Sequence, residues 1–434
     1  MIYGGDGLAR LPADESGRGK AAFVPYVLSG EKVEASLTEQ KPGFARARVE
    51  SMVEPSRHRI TAGCPYFTRC GGCHYQHADY EHQLEIKKDI LIETLRRTAK
   101  LELPVEVQVH SSPPWNYRNR SRLQVRTSPE FKFGYFKTGS RELMAVEECP
   151  ISSPQINRGI AAVWKSGLAG KVPAGIREIE FFANADDTQL LVEVSATTEA
   201  RRAAVRMWSE ELQGSTPEIA GVVTFRDTKP GHPSEKLLTV GAGFLMYQTE
   251  RAGYRVSAGS FFQTNRFLTD ELVKIVTNQQ SGELAVDLYA GVGLFSTALC
   301  DMRHTFSVES SQTSSADLAY NLPSNGEAVQ AMTEQYLDGL EKKGRVGKGA
   351  VVSHTRRKPD LAVVDPPRSG LGERVARKLA TLGAPRVVYV SCDPVTLARD
   401  LGVLLGSGYR VEQAHMVDLF PQTYHLESVF HLMR

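Results

Sequence analysis

Apolar and polar positions divide the chain into three rhythms. Through the first sixty residues they alternate with the period of short strands: AAFVPYVL, EKVEASLTEQ and FARARVESMVEP, preceded by the glycine turn GGDGLARLP. This spacing predicts a small β-barrel of the oligonucleotide-binding shape over residues 1–60, with Arg46 and Arg48 on one face of a strand. A cysteine-bearing loop follows, then a helical repeat in YEHQLEIKKDILIETLRRTAK through Leu84, Ile90, Leu91 and Leu95, so residues 61–102 read as loop and helix. Helical and strand patterns mix over 155–255, within a central α+β region. From about 284 strands alternate with helices, in LAVDLYA, HTFSVES, PDLAVVDPP and RVVYVSCDP, closing with YRVEQAHMVDLFP and LESVFHLMR. Apolar runs that end in polar residues are parallel strands delivering chemistry at their carboxyl ends, so this last part is a doubly wound α/β domain.

Composition refines the picture in two places. The 52 Lys+Arg against 50 Asp+Glu leave a formal charge of +2, which excludes a bulk polycation or an acidic tail. Locally, Trp115–Arg141 carries seven basic residues against one acid, Glu130. Arg118, Arg120, Arg122 and Arg126 share parity, and Trp115, Tyr117, Phe131, Phe133, Tyr135 and Phe136 are interleaved, a pattern suited to phosphate contacts and base stacking. With no apolar run of about 18 residues and no secretory leader, a cytoplasmic protein without a membrane partner is expected.

Six cysteines are too few for a disulfide scaffold in a chain of 434 residues. Cys64, Cys70 and Cys73 cluster around Gly71 and Gly72, and Cys149 is the distant fourth thiol. Four such thiolates suit zinc or an iron–sulfur cluster, with unligated thiols as the alternative. Cys300 is expected in a buried helix.

Asp287-Leu-Tyr-Ala-Gly291-Val-Gly293 sits between an apolar strand and an expected helix, and Glu309 ends the next strand, where a carboxylate suits two ribose hydroxyls. Ser296 stands where a dinucleotide site carries its third glycine, so the pattern resembles S-adenosylmethionine-dependent methyltransferases instead. Asp365-Pro-Pro-Arg368 and Ser391-Cys392-Asp393-Pro394 end neighbouring strands. Arg368 replaces the aromatic residue of amino methyltransferases. A cysteine one strand later suits pyrimidine C5 chemistry: C5 of uracil is a weak nucleophile until a thiolate adds at C6, and a base must afterwards remove the C5 proton. Cys392 and Glu427 are the candidates for these two roles.

CPYFTRCGGCHYQH, GSFFQTN, VDLYAGVGLFS, VVDPPRSGL, VSCDPVTLARDL and DLFPQTYHLES together resemble the class I RNA 5-methyluridine methyltransferases of the RumA/TrmA type over nearly the whole chain. The resemblance implies a Rossmann-like class I methyltransferase domain at 257–434, an OB-like TRAM domain at 1–60, an iron–sulfur loop and helix at 61–102, and a central RNA-binding domain at 103–256. It implies a 4Fe–4S cluster on Cys64, Cys70, Cys73 and Cys149, Cys392 as nucleophile and Glu427 as proton acceptor. It places S-adenosylmethionine against Gln263, Tyr289, Glu309 and Asp365, with Gln335 matching a contact on the adenine side. Leu294 stands where some members have a polar residue. The TRAM-like segment and the cluster favour the 23S ribosomal RNA branch over the transfer RNA branch, and a monomer is expected.

Overall fold

The computed structural model describes residues 1–11, 19–228, 234–343 and 358–434. The N-terminal part holds β1 (Asp6–Arg10), β2 (Ala21–Pro25), β3 (Lys32–Gln40) and β4 (Phe44–Glu54), paired in the order β1-β2-β4-β3. Alternation along β4 buries Ala45 and Ala47 and leaves Arg46 and Arg48 exposed together. Its core is small, built on Val24, Val27 and Ala47.

Next comes α1 (Tyr80–Thr94), capped by the Asp79 side chain, and a short strand β5 (Val107–His110). The central region comprises β6 (Arg120–Arg126), β7 (Lys132–Phe136), β8 (Leu143–Ala145), α2 (Pro154–Leu168), β9 (Ile176–Ala183), β10 (Leu190–Ala196), α3 (Arg202–Ser215), β11 (Ile219–Arg226) and β12 (Glu235–Gly241). Its seven strands pair in the order β12-β11-β10-β9-β6-β7-β8. Ile156 and Ile160 of α2 and Val205 and Trp208 of α3 pack on Leu123, Phe133, Phe181 and Val192, so both helices cover one face. A hairpin, β13 (Phe244–Gln248) and β14 (Gly253–Ser257), leads on to α4 (Thr269–Thr277).

The last part contains β15 (Gly282–Leu288), β16 (Met302–Glu309), α5 (Gln312–Asn321), β17 (Gly326–Gln330), α6 (Thr333–Lys343), β18 (Leu361–Val364), α7 (Gly372–Leu382), β19 (Arg386–Ser391), α8 (Pro394–Gly406), β20 (Arg410–Val417) and β21 (Glu427–Met433). The sheet order is β17-β16-β15-β18-β19-β21-β20-β5, with β21 antiparallel to both neighbours and the other pairs parallel. Every residue of β18 is buried, as a strand covered on both faces requires. In place of the expected helix after the glycine turn stands a single 3-10 turn, Ser296–Ala298, and Cys300 is exposed beyond it rather than buried in a helix.

Two segments sit differently from the expected boundaries. Val107–His110 pairs with Ala414–Val417, so β5 extends the C-terminal sheet although it falls within 103–256. Leu91 and Leu95 are fully buried in one core with Leu397 and Leu401 of α8, so the helix after the cysteine loop covers that same sheet. Among the described residues no helix is long and apolar enough to cross a membrane.

The arginine stripe of β6 does not form the expected open basic face. Antiparallel pairing sets Arg120, Arg122 and Gln124 beside Phe182, Glu180 and Glu178. Arg120 and Arg122 both reach the Glu180 carboxylate, at 3.1 and 2.7 Å, and the Arg120 guanidinium lies 4.7 Å over the Phe182 ring. Arg118 turns inward beside Tyr117, while Arg122, although paired, and Arg126 remain exposed. Tyr117 and Phe133 are fully buried, Phe131 packs edge-on against Trp164 and Tyr135 bonds Ser121, so these aromatic rings serve packing. One arginine and a nearby acid position a loop instead: Arg120 donates to the Ser260 carbonyl at 2.7 Å, and Glu193 accepts from Gly259 N–H at 2.7 Å.

Candidate active site

The carboxyl ends of four neighbouring parallel strands meet at one edge of the C-terminal sheet. β15 runs into a turn in which Tyr289, Gly291 and Gly293 have φ of 65°, 57° and 94°. A Cβ on Gly293 would lie 2.9 Å from Leu318, whereas one on Gly291 would meet nothing within 4 Å, so the turn is packed on one side and open on the other. Glu309, ending β16, accepts from Gly291 N–H at 2.9 Å and Ser311 N–H at 2.6 Å, which fixes its carboxylate against the turn. Asp287 lies beneath, fully buried; Ser296 donates to one of its oxygens and the other has no partner. Burial pushes the Asp287 carboxyl up to about 7.

β18 ends at Val364, so Asp365 opens the next loop, and burial followed by the Asp287 charge pushes it up to about 7 as well. β19 ends at Ser391, whose register partner on β21 is Ser428. The ladder ends there; one step beyond it Cys392 follows Ser391 and Glu427 precedes Ser428, and the Glu427 charge acts on the thiol. Asp393 caps α8 by accepting from Val395 and Thr396 N–H, which puts Cys392 at a helix N-terminus. Burial nevertheless dominates. It pushes the Cys392 thiol up to about 12, with Glu427 and Asp365 raising it further and Arg368 opposing them. Glu427 is raised well above the carboxylate range by burial and by Asp365.

Asp287, Asp365, Glu427 and Cys392 thus form a poorly solvated series in which Asp287 raises Asp365, Asp365 raises Glu427, and both Asp365 and Glu427 raise the thiol. A cation bound among them would relieve all four. Since the thiolate is the reactive form, alkylation of Cys392 by iodoacetamide is expected to rise about tenfold per pH unit between about pH 7 and 9. Peptide mass spectrometry reads this directly; a rate flat across that range would show a thiol already ionised.

The remaining expected contacts lie around the same edge. Gln263 is buried in the loop between β14 and α4 that Arg120 and Glu193 anchor, and Gln335 is exposed in the first turn of α6. Cys64, Cys70, Cys73 and Cys149 line one separate cavity of about 270 Å³, with Tyr135 and Arg118 in its wall. Burial pushes Cys70 to about 11 and Cys73 to about 12, with Cys149 adding to both.

Sequence reasoning missed the group that holds the 418–427 segment. Lys87 Nζ lies 2.6 Å from Asp418 Oδ1, both side chains wholly buried, and also donates to the Phe420 carbonyl at 2.9 Å. Tyr80 donates to Asp418, Gln83 exchanges bonds with Gln422, and Tyr117 donates to the Pro421 carbonyl. A signal was present: Gln83 and Lys87 continue the helical stripe of Ile90 and Leu91, where polar groups need buried partners. Also missed was a wall of rings. His74 lies 4.6 Å from Tyr424, which lies 4.2 Å from His425, itself beside Arg368.

A doubly wound sheet with a glycine turn, and with acidic side chains and a thiol at its carboxyl edge, defines a class I methyltransferase fold. Residues 79–434 match the family described as tRNA (Uracil-5-)-methyltransferase, and residues 3–49 match the TRAM domain. The chain belongs to the tRNA (Uracil-5-)-methyltransferase family and is by that membership an RNA uracil-C5 methyltransferase. An uncharacterized RNA methyltransferase of Aquifex aeolicus is 33% identical, covering 99% of this chain and 96% of the relative. One of Thermotoga maritima is 29% identical over 100% and 97% of the two chains. The Pyrococcus abyssi tRNA (uracil-54, C5)-methyltransferase, solved with S-adenosyl-L-homocysteine, shares the fold at TM-score 0.73 and 22% identity, with 99% of each chain covered.

Proposed function

We propose that this protein transfers a methyl group from S-adenosylmethionine to C5 of one uridine in 23S ribosomal RNA. The observation that carries the reading is the nearness of Cys392 and Glu427 just beyond the last β19–β21 pair, at the edge where the glycine turn opens. The donor supplies an electrophilic methyl on a positively charged sulfur, the charge that the cluster of buried acids favours. Tyr289 and Glu309 would hold its ribose, Gln335 its adenine side, and Gln263 and Asp365 its other end. Cys392 adds as thiolate to C6 of uracil, C5 takes the methyl, Glu427 accepts the C5 proton, and the Cys392–C6 bond breaks to return the thiolate. The base is flipped out of the RNA to reach the thiol.

The RNA-binding part of the reading rests on the TRAM segment, taken as an OB-like module. There Arg46 lies 5.8 and 6.0 Å over the Phe23 and Phe44 rings while also reaching Asp6 and Glu39, and the exposed Arg48 beside it is paired with Glu50. Labelled methyl is expected to enter unmodified 23S ribosomal RNA and not unmodified transfer RNA. Incorporation into the transfer RNA alone would move the assignment to that substrate.

We take the cysteine cavity as the seat of a 4Fe–4S cluster, with one zinc ion as the alternative. A tetrahedral zinc needs its sulfurs about 3.8 Å apart. No three of these four sulfurs lie within 4.8 Å of one another, and they surround a cavity rather than a point. The four thiols would hold the cluster and tie Cys149 to the 64–73 loop; no step of methyl transfer passes through it. Anaerobically purified protein should contain iron and acid-labile sulfide, lost in Cys70→Ser. One zinc and no iron would overturn the reading.

A further inference from the structure

Tyr3 precedes the first strand, yet its hydroxyl donates to the Cys392 carbonyl at 3.4 Å, across 389 positions of chain. Burial and the neighbouring Asp393 carboxylate push its ionisation up, so the hydroxyl stays protonated and remains a donor at working pH. The placement is built rather than accidental. Ile2 N–H donates to the Asp6 carbonyl at 3.0 Å and Gly5 N–H to the Ile2 carbonyl at 3.2 Å, closing a tight turn around Tyr3. Gly5 has φ +95°, and a Cβ there would lie 3.0 Å from the His74 Cβ, so the turn is pressed against the cysteine loop. His74 N–H in turn donates to the Gln422 carbonyl at 2.8 Å, on the segment that leads to Glu427.

The Tyr3 ring meets Tyr424 edge-on at 5.5 Å and so extends the wall His74–Tyr424–His425. Burial and the nearby Arg368 charge hold His425 down to about 3, so that ring is uncharged near neutrality. An aromatic wall beside the nucleophile suits stacking of a neutral base displaced from an RNA strand. Three distant parts of the chain form it: the N-terminal turn, the cysteine loop and the segment before β21.

We propose that Tyr3 is a positioning residue of the methyl-transfer site, its hydroxyl holding the nucleophile loop and its ring completing the wall that receives the flipped base. The N-terminal domain thereby sets the geometry at Cys392 as well as gripping RNA. This inference rests on Cys392 being the nucleophile, and the test separates the two.

Tyr3→Phe and Tyr3→Ala are compared with wild type and Cys392→Ala, using steady-state methylation and the rate of covalent adduct formation on 5-fluorouridine-substituted RNA. Tyr3→Phe keeps the ring, so KM for RNA should stay within about twofold while kcat and the adduct rate fall about fivefold, the loss of one hydrogen bond. Tyr3→Ala should also raise KM about tenfold through the missing ring. Phenylalanine thus rescues KM but not kcat, a split that a general loss of folding would not produce. Melting curves of Tyr3→Phe matching wild type confirm that the fold is intact. Wild-type adduct rates in both Tyr3 variants, with none in Cys392→Ala, overturn the role of Tyr3 alone. Adduct formation in Cys392→Ala overturns the nucleophile itself.

Discussion

Replacing Cys392 by alanine should abolish methylation and leave no covalent adduct with 5-fluorouridine-substituted RNA, while Glu427→Gln should do the opposite to the adduct. The two residues act on either side of methyl transfer. Without the thiolate, C5 never becomes nucleophilic enough to take the methyl. Without the carboxylate, methyl transfer proceeds but the C5 proton stays, so the Cys392–C6 bond cannot break by elimination. Glu427→Gln is therefore expected to lose about 10²–10⁴-fold in turnover, the usual worth of a positioned general base, while accumulating an enzyme–RNA adduct with unsubstituted RNA. Denaturing gel electrophoresis with labelled RNA reads both outcomes. A free, methylated RNA released by Glu427→Gln at the wild-type rate would remove Glu427 from the scheme. Its buried setting explains the assignment: a carboxyl held high by burial and by Asp365 is a stronger base, once ionised, than an exposed one.

The second large effect concerns stability. Lys87→Met leaves the Asp418 carboxylate wholly buried with one hydroxyl donor, Tyr80, at 2.9 Å. Breaking a buried pair on one side costs about 3–5 kcal/mol, because the remaining charge keeps its desolvation penalty. Denaturant unfolding should show a loss of that order, and the double variant Lys87→Met, Asp418→Leu should recover more than half of it. A loss below about 1 kcal/mol would place the pair among exposed ion pairs, which are worth little. Turnover should fall too, since Asp418 begins the segment that ends at Glu427.

The candidate site was legible to the degree that its parts are local. Asp287 to Gly293, Asp365 and Cys392 each end an apolar strand, and parallel strands bring their carboxyl ends to one edge whatever their order. That is why three motifs scattered over about a hundred residues could be grouped from sequence. The strand order could not be read, nor could the extension of the sheet by Val107–His110, because a four-residue strand carries no mark of its partner. The arginine stripe of β6 shows the same limit. Its parity was right and Arg120 and Arg122 share a face, but Glu178 and Glu180 on β9 meet them across the sheet. Charge along a sequence says nothing about the charge opposite.

By itself the sequence determined what depends on near neighbours: the strand and helix periods, the glycine turn, the cysteine spacing and the residues ending each strand. The tertiary structure alone decided which groups lose water together and which charges meet. Lys87 with Asp418, Arg120 with Glu180, and Tyr3 with Cys392 are each joined across a long stretch of chain. The physical reason is that ionisation and hydrogen bonding are set by what lies within a few ångströms in space. Chain order records that distance for neighbours, and folding creates it for the rest.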